Sequence, residues 1–200
     1  MPQSQKPSDC FFQPGDIGLS TSNDWLSKVI KFFTSLQTKK ATKSHAFNFI
    51  GDGMIVEALA SISIREVKKY DSPRFTEVDV YRLPLSTEDQ RKLRIGLLER
   101  INKAYGWLKL PLFALDAMAT KLTSLFGRKE PVFIFSKYFG ISNIPVCSQL
   151  VVWSIHKFTS YEMRDSNGLK INWKIVSPDY LEDLLKLPHN GAVKIFSKTS

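Results

Sequence analysis

Cys147 is the residue best placed to act as a nucleophile. Pro145 interrupts the chain just before it, and Leu150, Val151 and Ile155 follow at helical spacing, which predicts a helix whose first turn contains Cys147. The free N–H groups and positive dipole end of that turn favour a thiolate, the reactive form, whereas a thiol near its ordinary pKa of ~8.5 stays mostly protonated at neutral pH. By position alone the competing reading is a small buried hydrophobe, the usual fate of a free cysteine.

A nucleophilic thiol needs a base, and the chain has 3 histidines. His156 lies on the same predicted helix, about 13 Å along its axis from Cys147, too far for contact. His189 sits in the turn Pro188-His189-Asn190-Gly191 and reads as a surface residue. His45 remains, at the start of a predicted strand. The third member of such an array orients the imidazole and fixes its tautomer. Glu57 is a candidate, because a carboxylate within the apolar run Met54-Ile-Val-Glu-Ala-Leu59 is costly unless paired or exposed. The turn decides between these. A three-residue turn over Gly51-Asp52-Gly53 pairs residue 45 with 59 and puts Glu57 on the face of His45, on a diagonal; a two-residue turn pairs 51 with 54 and sends Glu57 to the other face. The backbone N–H of Cys147 is a natural oxyanion donor; the sequence names no second one.

The elements that must position these groups are read from periodicity. Residues 1–13 read as a flexible tail and 14–200 as a single domain. Pro14-Gly15-Asp16 is a turn, and Ile17-Gly18-Leu19 opens an apolar run. Asn23 or Asp24 caps a helix carrying Leu26, Val29, Ile30 and Phe33. The hairpin 45–59 follows, then strands at Ile62–Val67 and Val78–Leu83. Ser86 and Asp89 form a capping-box pattern before a helix with Leu93, Leu97, Ile101 and Ala104 on one face, ended by Gly106. An amphipathic helix over 108–126 and an aromatic stretch to Gly140 form an apolar insertion at about 108–140, read either as a packed helix with its loop or as a lid or docking surface. Ser177-Pro178-Asp179 starts a last helix that ends near Lys186. This order predicts an α+β domain.

Composition limits the functional classes. The 200-residue chain is 43% hydrophobic and 24% charged, long enough for a core without staples. Two cysteines, Cys10 and Cys147, make neither a disulfide framework nor a Cys-rich metal site, and no cofactor or metal is expected. The net charge is +9, and five lysines with no acid lie between Lys28 and Lys43, so an anionic surface is a possible partner. No motif for specific nucleic-acid binding is present. The N-terminus lacks the apolar core of a signal peptide, and no run reaches the ~18–20 apolar residues of a membrane span; the expectation is a cytoplasmic protein, with release by lysis or non-Sec export left open.

The ordered set Pro14-Gly15-Asp16-Ile17-Gly18-Leu19, Ser44-His45-Ala46, Ile55-Val56-Glu57-Ala58, Tyr105-Gly106-Trp107 and Cys147-Ser148-Gln149-Leu150-Val151 resembles the circularly permuted papain-like group of the NlpC/P60 superfamily, the YaeF/YiiX-type cysteine amidases. The resemblance spans about residues 14–185. It implies an antiparallel sheet packed against a late Cys-bearing helix, with Cys147 as nucleophile, His45 as base and Glu57 as the orienting residue. The activity it implies is hydrolysis of a peptide or peptidoglycan-like amide through an acyl-thioester. The superfamily resemblance also reaches lecithin:retinol acyltransferase-like enzymes, which implies acyl transfer or lipid-ester cleavage as an alternative on a lipid-derived substrate. A third reading is a non-enzymatic binder of an anionic polymer. Substrate and oligomeric state are not fixed by the sequence.

Overall fold

The structure, a computed structural model, describes residues 5–24, 27–28, 31, 42–59, 61–103 and 147–199. Six strands form one antiparallel sheet: β1 (Ile17–Ser22), β2 (His45–Gly51), β3 (Met54–Ala58), β4 (Ile62–Glu66), β5 (Phe75–Arg82) and β6 (Val193–Thr199), in the spatial order β4-β3-β2-β1-β5-β6. The described helices are α1 (Thr87–Leu98), α2 (Cys147–Phe158) and α3 (Pro178–Leu185). The architecture is α+β.

Both faces of the sheet are covered, which is why β1, and β2 beyond His45, are buried continuously rather than alternately. One face carries Ile17, Leu19, Ala46, Val56 and Ala58 and packs against Leu93 and Leu97 of α1, Leu150, Val151 and Ile155 of α2, and Leu181 and Leu184 of α3. The opposite face carries Phe47, Phe49, Ile55, Val78 and Val80 under Phe12, Val67, Tyr70 and Phe75. Two glycines permit close approach. A Cβ on Gly18 would lie 2.1 Å from the Phe47 ring directly across the ladder, and one on Gly96 would lie 2.5 Å from Phe158, so α1 and α2 pack where a side chain would collide.

Several expectations need correction. Residues 5–13 are not simply a tail: Pro7–Asp9 form a 3-10 turn, Ser8 donates its N–H to Asp71 (3.1 Å), and Phe12 is buried 4.3 Å from the Phe49 ring. Helix α1 is capped by Ser86 as expected but stops at Leu98 instead of running to Ala104. Asn102 adopts a left-handed φ of 62° and gives its N–H to Ile62 of β4 (3.0 Å), so pairing with the sheet replaces further helix. Strand β5 begins at Phe75, three residues before the expected Val78. Strand β6 has no counterpart in the sequence pattern, because as an edge strand it exposes Val193 and Ile195, which hides the alternation. The helix expected after Asp24 lies mostly outside the described residues, though the Asp24 carboxylate accepts the Ser27 N–H (2.7 Å) as an N-cap does. The 108–140 insertion, Gly106 and most of the Lys28–Lys43 stretch lie outside the described residues. Among the described residues no helix is long and apolar enough to cross a membrane.

Candidate active site

The β2–β3 hairpin builds half of the site, and its register is neither of the simple alternatives. Gly51 pairs with Met54 around the two-residue turn Asp52-Gly53, both with positive φ. A bulge between Phe49 and Gly51 then restores the other register, so that Phe49 faces Ile55 and Phe47 faces Glu57. One extra residue on β2 undoes the flip that the short turn imposes. His45 and Glu57 therefore share a face on a diagonal, and His45 Nε2 lies 3.2 Å from Glu57 Oε2.

Glu57 is fully buried, and its carboxylate is completely satisfied. Oε2 accepts from His45 and from the Tyr70 hydroxyl (3.0 Å), and Oε1 accepts from the Lys69 ammonium. Lys69 and Tyr70 come from the 3-10 turn Val67–Asp71 after β4. Tyr70 stacks on Phe47 with ring centroids 4.3 Å apart, so the aromatic cluster fixes the hydroxyl that fixes the acid. Sequence reasoning missed both residues. Only the unexplained carboxylate in an apolar strand signalled that partners were required.

Helix α2 builds the other half. Its first described residue is Cys147, and it lies against β2, where Asn48 donates to the Ser154 hydroxyl (3.3 Å). The Ser148 hydroxyl donates to Val176 O (2.7 Å) and the Gln149 amide to Lys174 O (2.6 Å), which ties the helix start to the segment before α3. The Cys147 sulfur is near enough to His45, and to the backbone N–H groups of Ala46 and Ser148, for each of them to favour its thiolate. With Nε2 on Glu57, the ring's remaining nitrogen, Nδ1, is the one left for sulfur. The thiol, from α2, and the carboxylate, from β3, thus both reach the imidazole at the first residue of β2.

The electrostatics follow from these contacts. Burial raises the Cys147 pKa, but the His45 hydrogen bond and charge, with the two main-chain donors, outweigh it and the thiol is lowered. Burial likewise works against a charged His45, yet Cys147 and Glu57 push its pKa up to about 9. Burial raises Glu57, and His45 and Lys69 overcome it, bringing the carboxyl down to about 2. The arrangement favours a thiolate, an imidazolium and a carboxylate in sequence.

The start of β2 is anchored from α3. Asp179 accepts the N–H groups of Thr42 (2.6 Å) and Lys43 (2.9 Å). The buried Lys43 ammonium binds Asp79 and Glu77 on β5, with Glu182 4.0 Å away. Ser44 bonds to Ser27 (2.6 Å) and to Ser20 O (3.3 Å). His45 is the next residue.

The other histidines fall elsewhere. His156 accepts the Met163 N–H at Nε2 (3.1 Å), and His189 is exposed in the turn Pro188–Asn190. Asp16 accepts from Arg82 through both oxygens (2.9 and 2.7 Å) and from Gln13 N–H, which makes it a turn anchor. Cys10 and Cys147 are both free thiols. Among the described residues no group of three or more His, Cys, Asp or Glu side chains is placed to hold a metal ion.

Neither a family model nor a curated protein matches the sequence. Among solved structures, the chain is similar to one titled metalloprotein yiiX from Escherichia coli O157:H7, DUF1105, at 25% identity and a TM-score of 0.38. The match covers 46% of this chain and 52% of that one, so the chain spans about half the length of that structure.

Proposed function

We propose that this protein is a cysteine hydrolase of amide bonds, built as a permuted papain-like domain of the NlpC/P60 type. The observation that carries this reading is the series Cys147–His45–Glu57, in which His45 bonds Glu57 at 3.2 Å and stands near enough to the Cys147 sulfur to favour its thiolate. In the proposed reaction the Cys147 thiolate attacks the acyl carbon and a C–S bond forms. His45 gives its proton to the departing amine as the C–N bond breaks, leaving an acyl-thioester. The neutral imidazole then takes a proton from water as the water oxygen attacks the thioester. The carboxylic acid leaves, the sulfur departs as thiolate, and His45 is again imidazolium. Glu57 holds the ring in one tautomer throughout and stabilises its charge.

The substrate class is a peptide or peptidoglycan-like amide. The test is incubation of wild-type protein and Cys147→Ala with peptide and peptidoglycan-fragment libraries, together with mass spectrometry of the trapped acyl-enzyme. The expected outcome is turnover and an acyl adduct on Cys147 in the wild type, and neither in a folded Cys147→Ala. Equal turnover by both would end the proposal, as would an adduct that carries a lipid acyl group and no amide cleavage.

A further inference from the structure

Glu57 has more partners than the orientation of an imidazole requires. A buried carboxylate with His45 on one oxygen would hold a proton on that ring strongly, and a base that never releases its proton cannot turn over. Lys69 occupies the other oxygen, from a turn that the sheet edge and the aromatic cluster fix in place. Its stem reaches over Tyr70, the ammonium lying 5.1 Å from the ring centroid.

We infer that Lys69 is a charge-tuning residue of the Cys147–His45–Glu57 series, sharing the Glu57 carboxylate so that it holds the His45 proton less tightly than a free carboxylate would. The inference rests on the reading of His45 as the general base, and it concerns a residue that does not touch the reacting atoms. The two hydrogen-bonding neighbours of the acid divide the work. Tyr70, whose own ionisation is pushed far up by burial and by Glu57, is a neutral donor that positions the carboxylate; Lys69 is the cation that offsets its charge. Other charged groups also act here. Cys147 faces His45 from α2 and favours its charged form; Asp24, after β1, is close enough to His45 for their charges to interact; and Arg65 and Arg74 disfavour charge on Lys69. Burial and these arginines lower the Lys69 pKa, against the pull of Glu57, so the tuning cation is itself sensitive to its surroundings.

The charge and the hydrogen bond of Lys69 predict different results, which makes them separable. Lys69→Gln keeps a donor near Glu57 and removes the cation; Lys69→Arg keeps the cation. The readouts are the His45 ring titration by NMR and the pH dependence of Cys147 alkylation by iodoacetamide, neither of which requires a substrate. The expected result for Lys69→Gln is an upward shift of the His45 titration by about one pH unit, with the alkaline change in Cys147 reactivity moving with it. Lys69→Arg is expected to leave both in place. An unchanged or lowered His45 titration in Lys69→Gln would mean that Lys69 only holds Glu57 and would overturn the inference, as would equal shifts in the two variants. The native protein supplies a check without substitution: NMR of the Lys69 side chain must show it still protonated through the His45 transition. A Lys69 that is neutral by then overturns the inference whether or not Lys69→Gln folds. Because these measurements use unliganded protein, a failure here is distinct from an absence of amide hydrolysis.

Discussion

At the scale of single residues, the His45–Glu57 contact converts a lone imidazole into one arm of an ion pair. With Glu57 and Cys147 flanking it, His45 is charged well above the usual histidine range, and Cys147 is correspondingly favoured as thiolate. Replacing the acid by its neutral isostere tests that linkage. Glu57→Gln is expected to bring the His45 titration down from about 9 toward its ordinary 6.5 and to slow acylation by about 10²–10⁴-fold, the range for loss of an organised proton-transfer group. The measurement is the pH profile of Cys147 alkylation alongside kcat/KM. An unchanged profile would remove Glu57 from the array. Cys147 was legible because Pro145 and the Leu150-Val151-Ile155 spacing mark a helix start without reference to the rest of the chain. His45 was reached by elimination. Lys69 and Tyr70 were not legible, because nothing local to the turn Val67–Asp71 indicates that two of its side chains reach back to β3.

At the scale of elements, the site depends on two joints. The first is the bulge in β2. The sequence displays Gly51-Asp52-Gly53 as a turn but does not say how many residues the turn uses, and each answer alone sends Glu57 in a definite direction. The structure combines a two-residue turn with a bulge, and the side chains beyond the bulge set the outcome: Phe47 fits over Gly18 and stacks on Tyr70 only in the observed register. The second joint is Asp179, at the start of α3, which takes two backbone N–H groups from the residues leading into His45. Asp179→Ala leaves both donors without that acceptor, and a loss of about 1–3 kcal/mol of stability is expected, measured by urea denaturation. The His45-dependent pH profile of Cys147 alkylation should shift at the same time, because the residues leading into His45 lose one of their anchors. A destabilised variant with an unaltered profile would show that the anchor serves the fold alone.

At the scale of the whole molecule, the buried charges make stability depend on pH at both ends. His45, raised from 6.5 to about 9, contributes fully below 6.5 and loses its contribution as pH rises through about 9. Glu57, lowered from 4.5 to about 2, contributes fully above 4.5 and loses its contribution as pH falls through about 2. The contribution of this pair to the urea midpoint is therefore expected to be full from about pH 4.5 to 6.5 and to fall on each side, and comparison of the wild type with Glu57→Gln isolates the acid-side fall due to this carboxyl. The amino-acid sequence by itself determined the element types where periodicity and caps are local: the hairpin strands, the Ser86 and Ser177 helix starts, and a cysteine at the head of a helix. The tertiary structure alone decided which strand neighbours which, that the sheet is buried on both faces, that α1 stops at Leu98 before Asn102 pairs with β4, and that a thiol and a carboxylate from distant segments meet at His45. The physical reason is that periodicity reports a residue's relation to its chain neighbours, whereas a shared proton depends on distances set by packing between segments far apart in sequence.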